Sequence, residues 1–215
     1  MPVRVLLADD HPVICEGLAA ILAQQGDMEV VGCAGDGREA VRMADSALPD
    51  VAIMDISMPL MNGIEAAERI RANHPGTQVI MLSMHDTVEH VYRALKAGAQ
   101  GYLLKESASR EIVEAVRTVM AGRRFLSERV AGMASLQERL SARSPQSPVE
   151  SLSKREREIL QLVVEGQASA RIAEILHLSP KTVETYRSRL MQKLGISDIP
   201  ALVKFAVQHG LTGLE

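Results

Sequence analysis

The chain has 215 residues, room for one large domain or two small ones, and 47% are hydrophobic, an ordinary share for a protein that buries a core. Its two cysteines are too few for a disulfide framework, and no stretch reaches the ~18 apolar residues that a membrane span needs. The net charge of −3 hides an asymmetry: residues 1–122 carry 10 basic against 17 acidic side chains, residues 123–150 carry 5 against 3, and residues 151–215 carry 9 against 7.

The first half alternates strand and helix patterns. Val3–Ala8 is a short apolar run, followed by a helical stretch near Val13–Gln24. Glu29–Ala34, Val51–Met54, Gln78–Leu82 and Gly101–Leu104 are further strands, and Gly37–Ala47, Gly63–Arg71, Glu89–Ala97 and Ser109–Ala121 the helices after them. Apolar runs of this length read as strands buried on both faces. Five βα units imply a parallel sheet with helices on both sides, because crossovers are right-handed. Aromatics are 2% of the chain and Trp is absent, so Leu, Val, Ile, Ala and 11 Met must fill the interior.

Chemistry gathers at the strand ends. The first strand ends in Asp9-Asp10 and the third in Asp55. In an open α/β sheet the ligand site lies off the carboxyl ends of the strands. Three carboxylates there repel one another, and a hard divalent cation such as Mg2+ (or Mn2+) would neutralise them through oxygen ligands. The fourth strand brings the Ser83 hydroxyl to the same edge and the fifth brings the Lys105 ammonium. Taken singly, an Asp after a strand is a turn residue or a helix cap, and a lysine is solvated. Four strand ends at once point to a phosphoryl-accepting aspartate. The run Gly32-Cys33-Ala34-Gly35-Asp36-Gly37 has the order G-x-x-G-x-G, so it reads as a tight βα connection and not as a dinucleotide loop. His11, His74, His85, His90, His177 and His209 form no metal-ligand pair on a helix and read as exposed or capping residues. Cys15 and Cys33 read as two buried or partly buried thiols in a reducing cytosol, and with no leader-like N-terminal segment the expectation is a cytoplasmic protein.

Beyond Arg123 the pattern weakens. Residues 123–147 read as a linker in which Ser127–Ala142 can form a helix, before the Ser/Pro-rich run Ser141–Pro148. Residues 148–215 are helical. Ser153 and Glu156 form a capping box ahead of Ile159, Leu160, Val163 and Val164. A second, short helix over Ser169–Leu176 turns Ile172, Ala173 and Leu176 inward. Ser179 caps a third helix with Pro180 at its first position, running to about Leu194. A fourth covers Ile199–Gln208. Two helices joined by a tight turn, the second polar on one face, make a helix-turn-helix.

Asp9-Asp10-His11-Pro12, Asp55-Ile56-Ser57-Met58-Pro59, Asn62-Gly63, Ser83 and Lys105-Glu106, in this order and spacing, resemble a response-regulator receiver domain. Leu152–Leu160 and Leu178–Glu184 resemble a LuxR-type helix-turn-helix, and the whole chain resembles the NarL/FixJ type of two-component regulator. The resemblance implies a five-stranded, parallel, doubly wound, flavodoxin-like receiver over residues 1–122, then a small all-α DNA-binding domain over 148–215. It also implies that a sensor histidine kinase phosphorylates Asp55, and that phosphorylation controls homodimerisation and promoter binding. Asp10 would be the direct metal ligand, with Asp9 direct or through water, Asp55, and the Ser57 carbonyl as a further oxygen. Lys105 would pair with the phosphoryl group or with Asp55, Ser83 would donate to a phosphoryl oxygen, and Tyr102 would be the switch aromatic that turns inward as Ser83 moves. Lys181, Thr182, Glu184, Thr185 and Ser188 would face double-stranded DNA, with Glu184, Thr185 and Ser188 at the base-reading positions and Arg187, Arg189 and Lys193 near phosphates. The acid at Glu184 departs from the basic or apolar residues common there, and Ala170-Arg171 stands where relatives often carry Lys-Glu. A phosphotransfer enzyme or phosphatase with an aspartyl-phosphate intermediate is the rival reading, but Ser57 stands where such enzymes carry a second acid. A module that binds only protein through its helix-turn-helix is another. Neither the membrane nor turnover chemistry is expected.

Overall fold

The computed structural model describes residues 1–132, 148–209 and 211, and divides into two units, Met1–Ala142 and Arg143–Glu215. The first is built on strands β1 (Val3–Ala8), β2 (Met28–Ala34), β3 (Val51–Asp55), β4 (Gln78–Ser83), β5 (Gly101–Leu104) and β6 (Phe125–Leu126). All pair in parallel, in the order β2-β1-β3-β4-β5-β6. Between them run helices α1 (Pro12–Ala23), α2 (Gly37–Ala47), α3 (Gly63–Asn73), α4 (Val88–Lys96) and α5 (Ala108–Met120).

The apolar runs are continuous because both faces of the sheet are covered. Leu6, Ala8, Ala52, Met54, Val79, Met81, Tyr102 and Leu104 join one core layer with Ala40 and Ala44 of α2, Ile64 and Ile70 of α3, and Val91 of α4. Val5, Leu7, Val51, Ile53, Ile80, Leu82 and Leu103 alternate into the other layer with Cys15, Leu18 and Leu22 of α1 and Ile112, Ala115 and Val119 of α5. Methionines 54, 58, 61 and 81 are fully buried, as the scarcity of aromatics requires.

The sheet has one strand more than the five read from the sequence. Phe125–Leu126 pairs with Gly101–Tyr102, inside the segment read as linker. Two residues carry no alternation that periodicity could detect, so only the pairing reveals the strand. Residues 128–132 are helical; the Ser/Pro-rich tether and most of the helix expected over 127–142 lie outside the described residues.

The second unit holds α6 (Lys154–Val164), α7 (Ser169–Leu176), α8 (Pro180–Leu194) and α9 (Ile199–Gln208). The capping box of Ser153 and Glu156 is formed, and Ser179 accepts from the Thr182 N–H at the start of α8. Ile159, Leu160, Ile172, Leu176, Val183, Leu190, Leu202 and Ala206 are buried between these helices. Among the described residues no helix is long and apolar enough to cross a membrane.

The loop after Asp55 is fixed by contacts that leave no room for a side chain at Gly63. Its N–H donates to the Ile56 carbonyl at 2.9 Å, and Asn62 caps α3 by accepting from the Glu65 N–H at 3.0 Å. A Cβ on Gly63 would lie 1.9 Å from the Asp55 carbonyl oxygen, a backbone atom that cannot yield. Gly63→Ala should therefore destabilise the first unit by about 1–3 kcal/mol, the usual range for forced overpacking, read as a lower urea midpoint.

Candidate functional site

β1, β3, β4 and β5 are neighbours, so their ends deliver side chains to one rim. Asp9 and Asp10 follow β1, Asp55 ends β3, Ser83 ends β4 and Lys105 follows β5. The Lys105 ammonium lies 2.7 Å from Asp9 Oδ2 and 3.0 Å from Asp55 Oδ2, tying two strand ends together. Asp9 and Asp55 are 4% and 3% exposed, and Asp10 is half-buried. Burial pushes the Asp55 carboxyl above its ordinary range, and the Asp9 charge adds to this, while Lys105 and a hydrogen bond from the Ser57 backbone pull it down. Burial works against the Lys105 charge, yet Asp55 and Asp9 together outweigh it and hold the ammonium above its ordinary value.

His11 is exposed and stands at the N-cap position of α1, as expected, and its ring also joins this cluster. Its Nδ1 lies 3.0 Å from Asp9 Oδ1 and 2.9 Å from Asp10 Oδ1. The hydrogen bond with Asp9, helped by the Asp10 charge, raises its pKa. Ligand atoms of Asp9, Asp10, His11 and Asp55 all lie within 4.8 Å of one another. The donor set suits a hard cation, since Asp9 Oδ2 and Asp10 Oδ1 are buried oxygens without a hydrogen-bond donor, although each has a cationic or ionisable neighbour.

The two expected switch residues meet through the backbone of His85. The His85 N–H donates to Ser83 Oγ at 2.9 Å, and the Tyr102 hydroxyl donates to the His85 carbonyl at 2.7 Å. Tyr102 is fully buried and already lies inward; burial pushes its phenol up to about 12. Arg129 was not anticipated here. It comes from the segment read as linker and makes ion pairs with Asp86, at 2.5 Å, and with Glu106. With Ser83, Met84 and Leu104 these three line a small cleft beside the rim.

On the second unit, α8 places Lys181, Glu184, Thr185, Ser188 and Arg189 on the surface, with Thr182 and Arg187 half-exposed. Several are already engaged. Glu184 accepts from Ser169 Oγ at the start of α7, Thr185 Oγ1 donates to the Lys181 carbonyl at 2.9 Å, and Thr182 Oγ1 lies 2.8 Å from Ser179 Oγ. Lys193, expected near phosphate, is 2.7 Å from the buried Glu156 carboxylate. Position alone could not show this, because the partners are 37 residues apart. Arg155 pairs with Glu158 at 2.6 Å and donates to the Leu176 carbonyl at 3.1 Å, binding α6 to the end of α7.

A parallel α/β unit with an acid–lysine rim, followed in the same chain by a helix-turn-helix, defines a receiver coupled to a DNA-binding output. Comparison with known proteins agrees. Residues 5–117 match the response regulator receiver domain, and residues 150–206 match the bacterial regulatory proteins of the luxR family. The chain is 40% identical over 209 residues to the transcriptional regulatory protein MctR of Rhizobium johnstonii, covering 97% of this chain and 95% of that one. It is 41% identical, with the same coverage, to the probable transcriptional regulatory protein NarL of Mycobacterium tuberculosis. A solved complex of the two-component response regulator RcsB with DNA is similar at 27% identity and a TM-score of 0.61, over 97% of this chain and 99% of that one. The chain belongs to the NarL/FixJ family of two-component response regulators, which are transcriptional regulators.

The Glu156–Lys193 pair sets a pH dependence. Burial alone would raise the Glu156 pKa, but hydrogen bonds from Lys193 and Ser153 outweigh it and hold it below the usual value. A depressed carboxyl stabilises the fold fully above its unfolded pKa of about 4.3 and loses that contribution as pH falls through the folded value. Lys193 is 45% exposed, so water partly replaces it; Lys193→Met should cost about 1–2 kcal/mol at neutral pH. Faster amide exchange in α6 and α8 at pH 7, with the difference from wild type fading in acid, is the expected result.

Proposed function

We propose that Asp55 accepts a phosphoryl group from a sensor histidine kinase and that the aspartyl phosphate promotes homodimerisation and binding to promoter DNA. The observation that carries this reading is the position of Lys105 between Asp9 and Asp55. Asp55 is the acid in the cluster that ends a strand, is nearly buried, and has a cation on one oxygen. Asp9, Asp10, Asp55 and the Ser57 carbonyl would hold Mg2+ (or Mn2+). When bound, the cation would screen the charge between a carboxylate nucleophile and incoming phosphoryl oxygens. Lys105 holds Asp55 in place at rest and is poised to follow a new negative charge. Ser83 can donate its own proton to a phosphoryl oxygen while accepting from the His85 N–H, and a shift of Ser83 toward the phosphoryl group would carry His85 with it. Because His85 also holds the Tyr102 hydroxyl, such a movement reaches the β5 side of the sheet.

Incubation with acetyl phosphate and Mg2+ should give one acid-labile adduct, mapped by mass spectrometry to Asp55. Asp55→Asn should abolish it while leaving the fold intact, since the amide keeps the shape and loses the nucleophile. Label on Asp9 or Asp10 in the wild type would overturn the assignment.

For the output half, α8 would enter the major groove, with Lys181, Arg187 and Arg189 meeting phosphates and Thr185, Ser188 and Glu184 reaching bases. Glu184 would have to give up Ser169 to accept from a cytosine amino group. In a mobility-shift titration against salt, Lys181→Ala should lower the slope of log affinity by about 0.9, one phosphate's worth. Lys193→Met should change that slope less, because its charge is already matched by Glu156.

A further inference from the structure

We propose that Cys15 and Cys33 form a disulfide when the protein meets a peroxide. The two thiols come from different elements but from the same side of the sheet. Leu7 is the strand partner of Cys33, and Leu7 and Cys15 belong to the core layer beneath α1. Strict alternation from Val30 would have put Gly32 on the same side of the sheet as Val30 and Cys33 on the other side, away from α1. Instead the register shifts between Val5 and Leu6, so that Val5 faces Val30 while Leu6 faces Gly32. That one-residue shift leaves Gly32 against Met43 and Leu6 in the other layer, and turns Cys33 toward α1.

Two further bonds hold the pair together. The Asp9 N–H donates to the Ala34 carbonyl at 3.0 Å, and the Cys15 thiol donates to the Asp9 carbonyl at 3.8 Å. Cys15 is thereby held above the end of β2, on the side of the sheet to which Cys33 turns, and the two thiols lie close enough to influence each other electrostatically. Cys15 is buried, and Cys33 is exposed on the edge strand.

The asymmetry sets the order of the chemistry. The exposed Cys33, as thiolate, attacks a peroxide oxygen; the O–O bond breaks, the leaving oxygen departs as hydroxide, and Cys33 becomes a sulfenic acid. Cys15 Sγ then attacks the Cys33 sulfur, an S–S bond forms, and the sulfenic oxygen leaves as water after taking the Cys15 proton. In sum, two thiols lose two electrons and two protons, and hydrogen peroxide becomes two waters. The bond would pin α1 to the edge strand and remove the thiol donor from the Asp9 carbonyl.

Full-length protein treated with hydrogen peroxide, alkylated and digested without reductant, tests this directly. The expected product is a peptide pair containing Cys15 and Cys33, two hydrogens lighter than its parts, within one chain and reversed by dithiothreitol. Cys33→Ser, a change at an exposed position, should leave Cys15 fully alkylatable after the same treatment and denaturation. Cys15→Ser should let Cys33 proceed to sulfinic acid. Sulfinic acid on Cys33 in the wild type with no cross-link, both thiols still reduced, or a Cys33–Cys33 link between two chains would each overturn the proposal.

Discussion

The receiver half depends on one ammonium. Lys105 sits within 3.0 Å of carboxylate oxygens from two different strands, and both carboxylates are almost wholly buried. Without it, Asp9 and Asp55 would face each other as unscreened like charges in a setting of low dielectric. The order of the strands follows from the same need. β3 must lie between β1 and β4, and β5 must lie next to β4, for four strand ends to surround one acidic rim. The rim is thus held in a state of unfinished compensation. One fixed cation faces three aspartates, which leaves net negative charge at the rim.

The helix-turn-helix has a comparable centre in Glu156. One carboxylate caps α6 through Ser153 and accepts from Lys193 near the end of α8. The second helix of the helix-turn-helix is therefore anchored near its far end by a residue that α6 needs for its own start. This removes Lys193 from the set of free charges along α8. Of the other basic residues of α8, Lys181 and Arg189 are exposed and Arg187 is half-exposed.

Much of this was legible in the sequence, for reasons that differ by element. Strands buried on both faces write themselves as unbroken apolar runs, so β1, β3 and β4 could be placed to within a residue or so. Caps use specific side chains, so Ser153 and Ser179 marked helix starts. The acidic rim followed from topology, since parallel strands share one carboxyl edge. What could not be read were pairings between distant residues of ordinary type. Nothing about Lys193 announces Glu156, and nothing about Arg129 announces Asp86 and Glu106. His11 directly follows Asp9 and Asp10 in the sequence, so its contact with both is local, and a pattern of helix-spaced histidine pairs does not include it. The strand at Phe125–Leu126 is too short to have a period, and its evidence lies entirely in its partner.

That short strand has a consequence for how copies of the protein can meet. A last strand in a sheet normally offers a free ladder on which another chain can grow the sheet. Here the outer side of β5 is used up within the chain. Phe125 donates to the Gln100 carbonyl at 3.0 Å, Ser127 donates to the Tyr102 carbonyl at 3.0 Å, and Ser127 Oγ accepts from the Leu104 N–H at 3.2 Å. The buried Ser127 side chain is itself held by Glu111 of α5, so the cover is bolted to the helix behind it. Self-association by sheet extension along β5 is closed off, and assembly on that flank has to proceed through side chains on helices. Such contacts can be remade when a loop moves by an ångström or two, whereas a backbone ladder, once zipped, would hold its partner regardless of the signal.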